Sequence, residues 1–239
     1  MDSRISVIIP ALNEAGCLRD TLTALGHPEN VEILVVDGGS CDGTDDLAAA
    51  AGTRVLRSPA GRARQMNLGA AAATGDVFLF LHADTRLPCR FEQHVRAALR
   101  DPVVIAGAFR LHIDAPERAL RLIEWGTNLR ARWRHMPYGD QAVFVRATTF
   151  RQLGGFQELP IMEDFEFVQR LRRAGRIVIV PAEVSTSARR WRSLGPWRTT
   201  WTNQLIICGY LLGVSTERLA TWHYQPRLAA GNEHFKKSC

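Results

Sequence analysis

Apolar residues in the first 84 positions fall into short blocks that alternate between two periods. ISVIIP (5–10) and VEILVVD (31–37) are continuous runs rich in β-branched residues, the pattern of strands buried on both faces. Between them, EAGCLRDTLTALG (14–26) repeats Leu18, Leu22 and Leu25 at helical spacing and stops at a glycine. DGTDDLAAAAG (42–52) and GRARQMNLGAAAATG (61–75) read as two more helices, TRVLRS (53–58) and DVFLFLHAD (76–84) as two more strands. This β-α-β-α-β-α-β order with short connections predicts an α/β, Rossmann-like fold, with a mostly parallel sheet covered by helices on both faces.

Beyond residue 100 the rhythm loosens. VVIAGAFRLHID (103–114) predicts a strand and ERALRLIEWGTNLRARW (117–133) a basic amphipathic helix. DQAVFVR (140–146) predicts a strand, followed by a short helix to Leu153 and a GGF loop. Residues 163–174 predict a helix stopped by Gly175, RIVIVP (176–181) a strand, and GPWRTTWTNQLIICGYLLG (195–213) a helix packed on the core. No repeat or low-complexity linker divides the chain. The expected organisation is one unit over 1–190, a helical extension over 191–224 and a frayed tail over 225–239.

Composition narrows the class. With 239 residues and 46% hydrophobic side chains the chain can bury a full core without staples. Cys17, Cys41, Cys89, Cys208 and Cys239 are scattered, odd in number and never paired as C-x-x-C. That predicts a reducing, cytoplasmic setting and no structural zinc. The N-terminal segment has no signal-peptide pattern, and LIICGYLLGV (205–214) is about half the length of a bilayer crossing. Charge is uneven: residues 1–120 carry 12 cationic and 15 acidic side chains, residues 121–239 carry 18 and 9. A basic half suits nucleic acid, anionic lipid or a phosphorylated small molecule. Since 28 of the 30 cations are Arg, coding bias explains the excess equally well.

Ligands of an open parallel sheet bind beyond the carboxyl ends of its strands. PALNE, DGGSCDGT and HADTRLP all fall at such ends. Asp37 is the last residue of the second strand, and Gly38-Gly39 then allows a sharp turn and close backbone approach to a ligand. Ser40 and Asp42 are N-cap candidates for the next helix. A carboxylate here suits a neutral donor, such as a base N–H or a ribose hydroxyl, better than phosphate. A plain strand-to-helix turn accounts for the same residues. Neither G-x-G-x-x-G nor G-x-x-x-x-G-K-[ST] occurs, so the dinucleotide fingerprint and the P-loop are excluded.

VIIPALNE, VVDGGSCDGT, GDVFLFLHADTRLP and GGFQELPIMEDFEFVQRLRRAG, in this order and spacing, resemble glycosyltransferase family 2 over about residues 5–190. GDQAVFVR and LLGVSTERLA look like a bacterial subgroup associated with arsenosugar biosynthesis. The resemblance implies a GT-A fold, a nucleotide-sugar donor (UDP-sugar favoured), Mg²⁺ or Mn²⁺, and inversion at the anomeric carbon. By position, Pro10, Ala11, Asn13 and Glu14 would line the nucleoside pocket, Asp37 would accept from the base, and Gly39 would make room for it. Ala83 belongs to the same nucleotide-binding set. Arg62, Arg64 and Asn67 would lie near the nucleotide, although an exposed polar helix face explains them as well. The family's Asp-x-Asp stands here as His82-Ala83-Asp84, which keeps only the last acid as metal ligand. His82 either joins the metal or bonds ribose or phosphate; as a ligand it would shift preference toward a transition ion.

Asp164 opens a helix, where the positive dipole end keeps acids ionised, and the resemblance makes it the base that deprotonates the acceptor. Glu163 would orient the acceptor or substitute for Asp164. In SARRWRS (187–193), Arg189 and Arg190 are phosphate-gripping candidates. Trp191 would stack or simply anchor the loop, and solvated surface is the competing reading. Asp140 and Gln141 form a candidate acceptor-side pair. The acceptor expected is a small molecule or a lipid phosphate, the latter with helix 195–213 against the inner membrane surface. No nucleic-acid partner is expected, because no interleaved basic-aromatic motif occurs. The alternative function is a non-catalytic nucleotide-sugar binder with a degenerate metal motif.

Overall fold

A computed structural model describes residues 3–222. In the first half, β1 (Ile5–Ala11), α1 (Ala15–Leu25), β2 (Val31–Asp37), α2 (Thr44–Ala50), β3 (Arg54–Arg57), α3 (Arg62–Ala72) and β4 (Val77–Phe80) follow the predicted alternation. The second half adds β5 (Thr85–Arg86), α4 (Phe91–Ala98), β6 (Val104–Asp114), α5 (Arg118–Arg134), β7 (Phe144–Arg146) and α6 (Ala147–Gln152). It closes with α7 (Glu163–Ala174), β8 (Arg176–Ser187), α8 (Arg189–Leu194) and α9 (Pro196–Leu211). The tail expected over 225–239 lies outside the described residues.

Among the described residues, eight strands form one sheet in the order β3-β2-β1-β4-β7-β6-β8-β5. β1 to β4 are parallel as predicted. The remainder is mixed: β7 runs antiparallel between β4 and β6, and β5 runs antiparallel on β8. β6 and β8 pair in parallel with register shifts after Val104 and Ala108, irregularities that bend long strands and curl the sheet.

β1 shows why a continuous apolar run is needed. Ile5, Val7 and Ile9 are fully buried with Leu18, Leu22 and Leu25 of α1 and Phe91 and Val95 of α4. Ile8 faces the other way, with Met66 of α3, Phe150 of α6 and Phe167 and Leu171 of α7. Each such side chain stabilises the fold by about 1.5–3 kcal/mol, and truncating Ile8 to Ala would cost roughly 2–5 kcal/mol.

Several boundaries differ from expectation. β4 stops at Phe80 rather than Asp84, because residues 81–84 turn away to let β5 pair with β8. The segment read as a strand over 140–146 begins as a 3-10 turn at Gly139–Gln141, and only Phe144–Arg146 is strand. α4 and α8 are helices that the apolar pattern did not predict. Nor do Ser40 and Asp42 cap α2, which starts behind Gly43 at positive φ. Ser40 Oγ instead accepts from the Asn13 N–H, and Asp42 accepts from Ala15 and Thr44, tying the two turns together.

Candidate functional site

The site lies along the carboxyl edge of β2, β1 and β4. Ala11 and Asp37 are register partners at the ends of β1 and β2, and Leu81 N–H, just past β4, donates to Ile8 O at 3.0 Å. Asp37 is 2% exposed; its Oδ2 accepts from Gly39 N–H at 2.9 Å and Ser40 N–H at 3.0 Å. Its Oδ1 is buried with no hydrogen-bond partner. An orphaned buried acceptor costs about 1–3 kcal/mol, which a ligand N–H or hydroxyl would relieve. Gly39 adopts φ +90°, so the turn itself needs glycine there. Gly38 serves a different purpose: a Cβ on it would stand 3.1 Å from Gln65 Nε2. That amide donates to Ala11 O and Val36 O, both at 2.8 Å, and locks the two strand ends together.

Asn13, at positive φ, accepts from Cys41 N–H with its side-chain oxygen, which links the turn after β1 to the turn after β2. Ala83 is buried and its carbonyl accepts from Thr21 Oγ1. Both therefore shape the strand-end edge through backbone and turn contacts.

Arg189 Nη2 donates to Glu14 Oε2 at 2.6 Å and to Asp84 Oδ2 at 3.2 Å. β5 on β8 explains how residues so distant meet, since Ser187 N–H donates to Asp84 O at 3.1 Å and Arg189 follows two residues later. Burial raises the Glu14 carboxyl above its usual range, with Arg189 opposing. The two acids hold Arg189 firmly protonated against the cost of its desolvation.

On the other side, Asp164 lines a cavity of about 20 Å³ with Pro10, Arg62, His82 and Gly139. That space suits roughly one water and nothing larger. Asp164 Oδ2 accepts from Gly139 N–H at 2.8 Å and Oδ1 from Phe165 N–H at 2.7 Å. His82 is pushed down to about 4 by desolvation first and by Arg62 second, so its imidazole is neutral at neutral pH. Glu163 is buried beside Arg62 at 3.3 Å, and burial raises its carboxyl. It braces Arg62.

Asp140 has a buried Oδ1 without a hydrogen-bond partner, and burial raises its carboxyl to about 6, with Arg130 opposing and Asp164 adding. Arg130, which the sequence reading overlooked, stacks 3.4 Å above the Tyr138 ring. Arg190 donates to Asn203 Oδ1 at 2.8 Å, and its charge acts on both His82 and Asp140.

Other expected site residues are committed to the framework. Gln141 is fully buried, donating to Phe109 O at 3.0 Å and accepting from Tyr138 N–H, so it is not an acceptor contact. Asn67 makes a two-point clasp on Phe156, donating to its carbonyl at 2.8 Å and accepting from its N–H at 2.9 Å. Arg64 pairs with Glu158 on the surface. Trp191 is buried with Leu111, Ile113 and Leu120 and anchors the loop. Overlooked positioning residues also include Glu166 and Arg170: Arg170 forks onto Glu166 and bonds Leu153 O and Gly155 O, holding the GGF loop on α7.

Among the described residues no three His, Cys, Asp or Glu side chains form a metal cage. Mg²⁺-like ions are commonly held by one or two carboxylates plus substrate phosphates. Asp84, part-exposed and already drawing a cation in Arg189, fits that open arrangement and no closed one.

The model of the family described as "Glycosyl transferase family 2" matches residues 6–156. A probable glycosyltransferase, YdaM, of Bacillus subtilis is 26% identical over 87% of this chain, which spans 57% of that protein. An uncharacterized glycosyltransferase of Rickettsia felis is 26% identical over 72% of this chain and is spanned to 32%. Among solved structures, the Pyrobaculum calidifontis mannosyltransferase PcManGT, in complex with GDP-Man and Mn²⁺, aligns with a TM-score of 0.68 at 20% identity. It covers 96% of this chain and 71% of its own. Glucosyl-3-phosphoglycerate synthase of Mycobacterium tuberculosis, with Mn²⁺ and UDP-Glc, aligns at 0.61 and 20% identity, over 87% and 79%. The fold is GT-A.

Proposed function

The chain belongs to glycosyl transferase family 2, and from that membership we propose that it moves a sugar from a nucleotide-sugar donor, a UDP-sugar by preference, to an acceptor hydroxyl with inversion. The observation that carries the reading is the shared cavity of Asp164, His82, Arg62 and Pro10, which joins the helix-start acid to the strand-end edge. The buried, unpartnered Asp37 Oδ1 supports recognition of a base N–H. Pro10, Ala11, Asn13, Glu14, Gly39 and Ala83 frame that half of the groove.

Asp164 takes the acceptor hydroxyl proton while the Gly139 and Phe165 amides orient its carboxylate. Arg189, with Arg190 behind it, faces the departing diphosphate. Arg62, braced by Glu163, adds positive charge beside the cavity. Asp84 would hold Mg²⁺ or Mn²⁺, which supplies further neutralisation of the leaving group. Asp140 and Arg130 border the acceptor side, and the subgroup likeness in GDQAVFVR runs through that border. The GT-A unit is read as 1–190, with 191–224 as its extension. The free thiols of Cys17, Cys41, Cys89 and Cys208 support a reducing, cytoplasmic setting.

The test is incubation of the chain and its Asp164→Asn variant with UDP-sugars and Mn²⁺. Turnover should fall about 10²–10⁴-fold in the variant while donor affinity stays within a few-fold. Donor binding without turnover under every metal and sugar would replace the enzyme with a binder.

A further inference from the structure

Two adjacent helices carry the wrong outer faces for water. On α5, Arg118, Leu122, Trp125, Leu129, Arg132 and Trp133 are exposed and form one stripe, with Arg134 exposed at the end of the helix. On α9, which packs against α5, Trp197, Trp201, Leu205 and Leu211 form another, continued by the exposed Leu212 just past its end. Trp125, Trp133, Trp197 and Trp201 are 63%, 78%, 60% and 68% exposed, although a surface helix normally turns polar residues outward. α9 also buries Ile206 and packs Ile207 and Tyr210 on the core, so it is apolar on both faces. Four of the six tryptophans therefore stand in solvent on one pair of packed helices, and large apolar side chains clustered in water in this way mark a contact site.

The surrounding charge identifies the occupant. No Asp or Glu lies between Glu183 and Glu217, and Arg198 flanks the α9 stripe and is exposed, whereas the neighbouring Arg192 is paired with Glu117 at 3.0 Å. Arg118, Arg132 and Arg134 are exposed on α5. Tryptophan sits preferentially at the headgroup level of a bilayer, and arginine around an apolar face attracts anionic lipid. No helix among the described residues is long and apolar enough to cross a membrane. We infer that the outer faces of α5 and α9 dock the chain on the surface of an anionic bilayer, with the tryptophans at headgroup depth. The same α5 turns Arg130 inward over Tyr138, so one helix serves both the crevice and the docking face.

The test is flotation of the full chain with phosphatidylglycerol-containing vesicles and with pure phosphatidylcholine vesicles. Binding to the anionic vesicles should weaken with salt, and lipids brominated high on the acyl chain should quench tryptophan emission. Trp133→Ser with Trp201→Ser should weaken binding at least about tenfold with an unchanged melting temperature, since both side chains leave water only on docking. Arg132→Gln with Arg134→Gln should remove most of the preference for anionic lipid. The inference is overturned by failure to float with either vesicle, or by binding unchanged in the tryptophan variant. It is equally overturned by a stable dimer in solution that the tryptophan variant abolishes. None of these readouts uses donor turnover, so failure here leaves the transferase reading standing.

Discussion

The backbone N–H of Gly139 donates to Asp164 Oδ2 at 2.8 Å, pinning the first-turn acid of α7 against the turn that leads into β7. A side chain at this position would have to displace the Asp164 carboxylate. A Cβ on residue 139 would stand 2.8 Å from that oxygen and 3.0 Å from His82 Nε2. Gly139→Ala is therefore expected to lower kcat about 100-fold, the scale of a misplaced catalytic group, with donor Kd nearly unchanged. Steady-state turnover and calorimetric donor titration check it. An unaltered kcat would remove Asp164 from the role of base.

Asp37→Asn should separate folding from recognition. The amide oxygen can keep the bonds from Gly39 and Ser40, while its NH₂ replaces the orphaned Oδ1 acceptor. Donor Kd should rise about 10–100-fold, the worth of one hydrogen bond to a charged group, with little change in Tm. Equal affinity for wild type and variant would show that Oδ1 meets no part of the donor.

Arg189→Ala leaves Glu14 and Asp84 without their shared cation. The nucleotide-free variant should bind Mn²⁺ about tenfold more tightly than wild type, the pairing being half-exposed and partly screened. Titration followed by Mn²⁺ electron paramagnetic resonance reads this without turnover. Identical affinity in the two proteins would mean that Arg189 and the ion do not compete.

The carboxyl of Asp140, raised by burial to about 6, makes stability depend on pH. Its folded value lies above its unfolded one, so the contribution is complete below about pH 4 and lost as pH rises through about 6. Asp140→Asn should gain up to about 3 kcal/mol over wild type at roughly pH 7.5, with the gain vanishing toward pH 4. Thermal melts across that range decide it; a pH-independent difference would contradict the burial argument.

The parallel half was legible because buried β-branched runs and Leu repeats are local signals, as in β1 and α1. α4 was not: only Phe91 and Val95 are buried on its eight residues, too few to set a period. Gln141 was misplaced for a different reason. Its side chain looked available, and the Phe109 carbonyl that claims it lies 32 residues earlier. The strand-end acids could be placed on one edge from topology alone. Arg130, Gln65 and Arg170 could not, because an arginine or glutamine on a helix looks solvated until the partner arrives from elsewhere in the chain. Trp191 shows the reverse: its neighbours in SARRWRS reach the crevice, while it fills the space among Leu111, Ile113 and Leu120.

β7 is entered at the edge where β1, β2 and β4 are left, since it runs against β4 with Phe144 opposite Leu79. β5 is reversed as well, but it follows β4 after only a short turn, whereas the reversal of β7 brings the 115–143 excursion to that rim. Lengthening or reshaping that excursion would redraw one side of the rim without shifting a rung of the β1–β2 ladder, so the two sides can diversify independently.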